Sequence, residues 1–393
     1  MSNTFHRGYK YRIYPTEDQA KQLDRFITLF RNVYNWGIAK EEERYEQYQK
    51  GNDEYGFYSF YDLCSIFTKE RNKPENKWLQ EIPNTTARLA LRNVVVAYKK
   101  FFKGINNYPK FKKKNKCKKS FNTRSDRFAV RNDCIKIEGV QTCISLGCDT
   151  NLFVDKGIDP SISKDNLGNY YVSFNLKEES KNLNISKTEG IGIDLGSRRT
   201  FILDNGEIYN QPKEKLDKLE KRRRKQQRRV TRDINRRRRE SMRTKTKYED
   251  IPKSKRAIKR ELRLNKIYKK IHNIKNTFYH TITKQIVMRN PEFVCMETFR
   301  VRKIEKENKH MHKILVDTSF YDITCKMKYK CNAYNIPFIQ APINFPSTKK
   351  CSNCGRTKYM GSNHIYKCPV CGMVEDRDIN AAINLKNYGS QFI

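Results

Sequence analysis

The chain has 393 residues, which is more than one hydrophobic core usually organises and predicts two or three domains. Its 82 lysines and arginines exceed its 43 acidic residues, giving a formal net charge of +39. Such an excess repels itself and favours a polyanionic partner, nucleic acid above all. No apolar run approaches the roughly 18 residues that span a bilayer, and no signal peptide is recognisable. We therefore expect a cytoplasmic protein that associates with the nucleoid and has no membrane partner.

The N-terminal part predicts a strand, then helices, then a β-rich unit. The segment YKYRIYPT alternates as a strand does and ends at Pro15, after which apolar residues recur at helical spacing. A further helix is expected from about residue 84 to residue 103, directly after Pro83. From residue 108 onward, short extended stretches alternate with Gly and Asn turns, which predicts several strands.

A second domain is predicted to begin after a change in composition at residues 181–188. The sequence GIGIDLGSRRTFILDNGEIYN predicts three short strands joined by turns. Residues 213–275 then hold 28 Lys or Arg and 8 Asp or Glu. A charge run of this kind is often a solvated or disordered tail. Here apolar residues recur at helical intervals, which favours two long basic helices interrupted near Pro252.

The C-terminal part alternates between strands and helices. We expect a strand at EFVCMETF, a helix from about residue 315 to residue 335, a strand at IPFIQAP and a last helix at INAAINLKNYG. Together with the three preceding strands, this order predicts an α/β layered domain built on a mixed sheet.

Two CxxC pairs stand 13 residues apart in this region, and each is followed directly by glycine. Two such pairs can point four thiolates at one tetrahedral Zn²⁺, whereas a thioredoxin-like site usually has one pair and a disulfide is disfavoured in the cytosol. We predict one structural zinc ion, because protein ligands fill all four positions. Its ligands are Cys351, Cys354, Cys368 and Cys371. The other eight cysteines stand singly, which predicts buried reduced thiols.

Three acidic residues, Asp194, Glu297 and Asp378, lie in apolar sequence at the edges of predicted elements. A single carboxylate in such a place is usually a helix cap or an arginine partner. Three that converge would repel one another unless cations bind, and hard cations such as Mg²⁺ prefer oxygen ligands. Two such ions about 4 Å apart would activate a water molecule and stabilise the leaving oxygen of a phosphodiester. The three residues therefore predict a metal-dependent catalytic site.

The motifs GIDLG, FPSTKKCSNCG, CPVCG and DRDINAAINL, in this order, resemble those of the TnpB family of transposon-associated proteins, which are relatives of the small type V CRISPR effectors. The N-terminal segments YKYRIYPTEDQ, ALRNVVVAYKKFF and YPKFKKK are similar to that family as well, so the resemblance covers nearly the whole chain. It implies a RuvC active site on an RNase H-like fold, with Asp194, Glu297 and Asp378 as its carboxylates. Asp376 competes for the last position, and Asp378 is chosen because it directly precedes INAA.

The resemblance also implies the fold class and the partners. The fold class is a multi-domain α+β protein: an RNase H-like (RuvC) α/β domain with a zinc ribbon insertion, an N-terminal helical lobe and a wedge-like β-barrel. The expected division is 1–14 and 104–185 for the barrel, 15–103 for the helical recognition domain, 186–344 and 373–393 for the nuclease domain, and 345–372 for the zinc ribbon. The implied activity is that of a prokaryotic RNA-guided DNA endonuclease with Mg²⁺ and Zn²⁺ as cofactors. Its partners are one guide RNA per monomer and a target double-stranded DNA.

Two surfaces are expected to contact nucleic acid. The resemblance places recognition of a short DNA motif near Asn84, Arg88 and Thr123, although the helix reads NTTARLALRN where family members often carry glutamines. A helix cap and surface charge are the alternative roles for these residues. The basic helices are expected to bind the backbone of RNA or of the heteroduplex. The arginines concerned are Arg222, Arg223, Arg224, Arg228, Arg229, Arg236, Arg237, Arg238 and Arg239.

Two other functions remain open. A nuclease-dead, RNA-guided DNA-binding repressor would not need the three carboxylates, and their presence argues against it. A DNA-strand transferase would need a nucleophile, and no Tyr or Ser nucleophile motif is recognisable. The RNase H fold is nevertheless shared by true transposases, so the fold alone does not exclude this activity.

Overall fold

The computed structural model describes residues 4–51, 56–114, 116–131, 133–147, 159–196, 199–298, 319–361 and 363–393. The chain forms two compact units: His6–Lys177 is the first, and Glu178–Ile393 together with the N-terminal residues up to Phe5 is the second. The four-part division predicted from the sequence is finer than this and stays a prediction. Across the described ranges, no helix is both long enough and apolar enough to cross a bilayer.

The described part of the first unit combines a seven-stranded sheet with three α-helices. The strands are β1 (Thr4–Tyr14), β2 (Ser120–Asn122), β3 (Phe128–Arg131), β4 (Cys134–Ile137), β5 (Ile144–Leu146), β6 (Ser161–Lys164) and β7 (Tyr170–Glu179). Their order in the sheet is β2-β6-β7-β1-β5-β4-β3. The helices are α1 (Glu17–Gln49), α2 (Phe60–Arg71) and α3 (Asn84–Phe102). The predicted order of a strand, helices and then further strands is confirmed.

The first helix begins with a capping box. The side chain of Thr16 accepts a hydrogen bond from the backbone N–H of Gln19, and the side chain of Gln19 accepts one from the backbone N–H of Thr16. These bonds satisfy N–H groups that the start of a helix leaves without partners. Apolar side chains of α1, among them Leu23, Phe26 and Phe30, enter one core with α3 and the sheet. This core holds α1 and α3 in place.

The second unit contains a five-stranded mixed sheet among its described residues. Its strands are β8 (Ile191–Asp194), β9 (Phe201–Leu203), β10 (Ile208–Tyr209), β11 (Val294–Glu297) and β12 (Phe338–Ala341). Strand β11 runs parallel to both β8 and β12, whereas β9 is antiparallel to β8 and to β10. The mixed sheet predicted from the sequence is therefore confirmed.

The helices of this unit are α4 (Lys213–Thr244), α5 (Lys255–Val287), α6 (Phe320–Ala333) and α7 (Arg377–Gly389). Of these, α5 and α6 cover one face of the sheet and α7 covers the other. Ile193 and Met296 share a core with α5 and α6, whereas Cys295 packs with Leu385 of α7. Strands covered on both faces are apolar throughout, which explains the continuous hydrophobic runs of β8 and β11. The helix predicted from residue 315 corresponds to α6, and residues 315–318 lie outside the described part of the chain.

The basic stretch forms the two long helices that were predicted, α4 and α5, which pack together as a hairpin with Pro252 in the connection. Leu216 and Leu219 of α4 pack against Ile271 of α5. Farther along the chain, a small antiparallel pair, β13 (Ile365–Lys367) and β14 (Val374–Asp376), leads directly into α7.

Candidate active site and cysteine cluster

Two of the three predicted carboxylates lie at the ends of neighbouring parallel strands. Ile193 of β8 stands opposite Met296 of β11, so the next residues, Asp194 and Glu297, end their strands side by side. The carboxyl ends of parallel strands meet at one edge of a sheet, where sites are commonly formed. Asp194 is only 7% exposed. The sheet therefore buries a carboxyl group at this edge.

The third carboxylate, Asp378, lies in the first turn of α7, which packs against β8. The approach is close because Gly192 has no side chain. A Cβ at this position would lie 2.0 Å from the carbonyl oxygen of Ala382 and 2.5 Å from the backbone nitrogen of Lys386. The glycine therefore lets the backbone of α7 reach the strand that carries Asp194, and it brings the helix start to the same edge.

The two neighbouring carboxyl groups and burial act on Asp194. The pKa of Asp194 is raised to about 8, first by burial and then by the negative charges of Glu297 and Asp378. Burial also raises the pKa of Glu297 to about 7. Near neutral pH, both groups therefore retain part of their protons unless positive charge is supplied at the site.

The structure gives different surroundings to the two competing aspartates. Asp376 caps α7: its carboxylate accepts hydrogen bonds from the backbone N–H groups of Asp378 and Ile379, and it pairs with Arg199 at 2.7 Å. Burial acts to raise the pKa of Asp376, but these bonds lower it overall. Asp378 lies 3.2 Å from Arg377 and 3.9 Å from Arg199. Asp376 is thus occupied as a cap, and Asp378 is the aspartate whose charge reaches Asp194.

The four predicted cysteine ligands come together at a second place. Their Sγ atoms all lie within 4.8 Å of one another, and they could hold a metal ion. Cys351 and Cys371 are 3.6 Å apart, and Cys354 and Cys368 are 3.5 Å apart. All four are free thiols. Among the described residues, this is the one group of three or more ligand atoms close enough for a metal ion, and the three carboxylates do not form such a group.

Each CxxC pair ends in a turn that only glycine adopts without strain. Gly355 has φ +76° and Gly372 has φ +70°. The sequence signal of a glycine directly after each pair is thereby explained.

The predicted basic surface on α4 is largely available to a partner. The exposed members are Arg222, Arg224, Arg228, Arg229, Arg236, Arg238 and Arg239. Arg223 is half-buried and pairs with Glu220 at 2.7 Å. Arg237 corrects the prediction, because it is 8% exposed and its guanidinium donates to the carbonyl oxygen of Ile251. A guanidinium used inside the hairpin is not free to bind a phosphate.

The predicted DNA-motif residues fall into two groups. Asn84 and Arg88 are exposed and line a cavity of 810 Å³ together with Arg92 and Arg124. Their role stays a prediction. Thr123 corrects the prediction: its side chain is 0% exposed, and its backbone N–H donates to the carbonyl oxygen of Pro160. A residue buried in this way does not contact nucleic acid.

Sequence reasoning missed four residues that support the site. Arg199 and Arg377 contact its aspartates, and the buried Asn380 and Asn384 connect α7 to the cysteine region. A signal was present for the asparagines, since polar residues four apart in an otherwise apolar helix lie on one face. No local signal identifies the partner of Arg199.

Two family models match parts of the chain. The model described as "Cas12f1-like, TNB domain" matches residues 320–385, which include α6 and both cysteine pairs. A "Helix-turn-helix domain" model matches residues 1–50. Within that range, the described residues form β1 followed by the single long helix α1.

Similar proteins extend the match to the whole chain. A protein of Streptomyces pristinaespiralis, named as a candidate RNA-guided DNA endonuclease, is 27% identical over 98% of this chain and 90% of its own length. The TnpB-like protein L79 of Acanthamoeba polyphaga mimivirus is 28% identical over 37% of this chain and 31% of its own. A cryo-EM structure of a Cas12f1–sgRNA–target DNA complex matches with a TM-score of 0.50 and 12% identity, covering 98% of this chain and 99% of that chain. The likeness to this structure shows a common fold.

Proposed function

Because the chain belongs to the TnpB family, we propose that it is an RNA-guided DNA endonuclease that hydrolyses phosphodiester bonds at a RuvC-type site. A guide RNA would select the target double-stranded DNA beside a short recognised motif. The observation that carries this proposal is the arrangement of Asp194, Glu297 and Asp378 at one sheet edge, where burial and the charges of Glu297 and Asp378 raise the pKa of Asp194.

The site fits Mg²⁺ by its donor atoms and by its charge. All three side chains offer carboxylate oxygens, which hard cations prefer. The raised pKa of Asp194 and of Glu297 reflects negative charge that burial leaves without compensation, and bound cations would supply it. Two Mg²⁺ ions held here would polarise the phosphodiester and lower the pKa of the attacking water.

The chain's own residues would orient the reaction and balance its charge. Asp194 and Glu297 are fixed by neighbouring strands, so their oxygens keep one direction. Arg377 lies against Asp378 and Arg199 against the cap of α7, which keeps the helix start in place. Such preorganised groups stabilise developing charge without reorganising during the reaction.

The cysteine cluster fits a structural Zn²⁺. Tetrahedral zinc with Zn–S bonds of about 2.3 Å separates its sulfur ligands by about 3.8 Å. The spacings of 3.6 Å and 3.5 Å within the cluster are close to this value. Four thiolates leave no open position, so a zinc ion here would stabilise residues 345–372 as a zinc ribbon and take no part in hydrolysis.

The basic hairpin would hold the nucleic-acid backbone. A groove of 620 Å³ between α4 and α5 is lined by Arg222, Lys225, Arg229, Arg263, Lys266 and Lys270. These cations lie on facing helices around an apolar floor that includes Leu219 and Ile267. Phosphates in RNA or in a heteroduplex would be neutralised there irrespective of base sequence.

The test uses the protein purified with its co-purifying RNA, which is sequenced, together with Mg²⁺ and a duplex that contains the guide-matched sequence. Cleavage is expected to follow the guide when the guide segment alone is exchanged. Asp194→Asn should abolish cleavage and leave RNA bound, whereas Glu292→Gln serves as a matched control because Glu292 is exposed and lies outside the carboxylate site. Cleavage that ignores the RNA would refute the proposal, and guided binding without cleavage would indicate a repressor.

A further inference from the structure

One face of α7 is bonded to the chain around the first cysteine pair. Asn380 and Asn384 lie one turn apart on this face and are 0% and 2% exposed. Asn380 donates to the carbonyl oxygen of Lys350 at 2.8 Å and accepts from the backbone N–H of Ser352 at 2.9 Å. Asn384 donates to the carbonyl oxygens of Ser347 and Lys350 at 2.9 and 2.7 Å. Two buried amides thus make four hydrogen bonds to one short segment.

The position of these bonds matters for the cysteine cluster. Lys350 and Ser352 stand on either side of Cys351, so the asparagines fix the backbone at a cysteine ligand. Loss of a buried amide leaves its backbone partners without hydrogen bonds, which is unfavourable. These four hydrogen bonds therefore connect the cysteine cluster directly to α7.

A second connection reaches the start of α7 from the other cysteine pair. Strand β13, which leads into Cys368, pairs with β14, and Ile365 stands opposite Asp376. The backbone N–H of Arg377 donates to the carbonyl oxygen of His364 at 2.8 Å. The residues directly before Asp378 are therefore held by the segment between the two cysteine pairs.

The opposite side of α7 is held by β8. The backbone contact between Gly192 and Ala382 leaves no room for an additional atom. The helix that carries Asp378 is thus fixed between the strand that carries Asp194 and the cysteine cluster. A displacement of the backbone at the cysteine cluster would therefore shift Asp378, because close-packed elements transmit displacement.

We propose that Asn380 and Asn384 are positioning residues that couple metal occupancy of the cysteine cluster to the placement of Asp378. Without a metal ion, the thiolates no longer share a ligand centre, the backbone beside Cys351 loosens, and the asparagines pass this change to the start of α7. This coupling rests on the proposed nuclease function. It predicts that loss of the cysteine-bound metal stops cleavage while the guide RNA stays bound.

Thermodynamic coupling is reciprocal, so replacing either asparagine must affect both the cysteine cluster and the start of α7. The test compares the full-length protein with Asn380→Ala and Asn384→Ala. Release of zinc to a chromogenic chelator reports on the cysteine cluster, and hydrogen–deuterium exchange of peptides covering residues 374–389 reports on α7. We expect both rates to rise by about fivefold or more, which is the lower end of typical coupling.

Asn387→Ala is the matched control. Asn387 lies on the same helix but is exposed, with one long hydrogen bond of 3.4 Å to the carbonyl oxygen of Ser352. Its replacement should leave both rates unchanged. In the variant Asn380→Ala, faster zinc release with normal exchange would mean that Asn380 serves the cluster alone. Faster exchange with normal zinc release would mean that it serves the helix alone, and either result overturns the coupling, as does no change in both.

Chelation of the wild-type protein provides a test that needs no variant. Removal of the cysteine-bound metal should increase exchange in residues 374–389 and reduce guided cleavage while RNA remains bound. Unchanged exchange after complete metal removal would overturn the coupling. Because zinc release and exchange are measured without DNA cleavage, their joint change would support the coupling even if guided cleavage were absent, in which case the nuclease function alone would fail.

Discussion

Replacing Arg237 by Ala separates an arginine that holds the α4–α5 hairpin together from those that face solvent. Its Nε donates to the carbonyl oxygen of Ile251 at 3.0 Å, and its terminal nitrogens donate to the carbonyl and hydroxyl oxygens of Tyr248 at 3.1 Å. The guanidinium carbon lies 4.4 Å from the centre of the Tyr248 ring. The side chain therefore closes the connection between the two helices.

The magnitude follows from these contacts. A hydrogen bond from a charged donor contributes about 1.5–3 kcal/mol. In Arg237→Ala the carbonyl oxygens of Ile251 and Tyr248 each lose such a bond. Because Tyr248 is only half-buried, water can replace part of the bond lost at its carbonyl oxygen. The free energy that keeps the hairpin tip closed should fall by about 3 kcal/mol, which corresponds to roughly 10²-fold more frequent opening.

The assay is hydrogen–deuterium exchange of peptides covering residues 237–252, with Arg238→Ala as the control, since Arg238 is the next residue and is exposed. The control should leave exchange unchanged and lower the salt slope of RNA binding by about 0.7–0.9 if Arg238 contacts a phosphate. Arg237→Ala should accelerate exchange in these peptides, and it should change the salt slope of RNA binding less than Arg238→Ala does. Normal exchange in Arg237→Ala, together with the full loss of slope, would refute the structural role of this arginine.

The remaining predictions concern the two candidate metal sites. Asp378→Asn should abolish cleavage and leave RNA affinity unchanged, as EDTA should. Asp376→Asn should keep the helix cap, because Asn and Asp cap helices about equally well, and it should reduce the rate only in part through loss of the ion pair with Arg199; equal loss in both variants would mean that the aspartates are misassigned. Cys354→Ser should release about one zinc ion per chain and lower the melting temperature, as metal analysis and calorimetry would measure. The raised pKa of Asp194, about 8, and of Glu297, about 7, means that metal must displace protons, so the half-saturating Mg²⁺ concentration for cleavage should fall as the pH rises from 6 to 8; a requirement independent of pH would contradict this.

The strand end at Asp194 and the glycine turns after the cysteine pairs could be predicted because their signals are local. Asp194 ends a short apolar strand, and each cysteine pair carries its own glycine turn, so neither depends on distant sequence. The hairpin could be predicted for the same reason, since apolar residues mark one face of both helices. Which residues of α5 pack against the apolar face of α4 could not be predicted, because helical periodicity gives no register between two helices.

The two incorrect surface residues show where local patterns fail. Arg237 follows Val230 by seven residues, and both lie on the buried face of α4, so spacing did indicate its direction. The prediction is wrong because a run of nine arginines does not distinguish the one that points into the hairpin from those that face solvent. Thr123 had no such signal. Its burial depends on pairing with Pro160, which is distant in the sequence and becomes a neighbour only in the folded sheet.

The α4–α5 hairpin leaves the sheet after β10 and returns before β11, so its length is independent of the edge that carries Asp194 and Glu297. A helix of 32 residues extends about 48 Å, and this sets the reach of the hairpin. Deleting one heptad from each arm would preserve the facing of Leu216 and Ile271 and shorten the reach by about 10 Å. The reach of the hairpin, and with it the length of its basic groove, can therefore change in matched steps of one heptad without moving the sheet edge that carries the carboxylates.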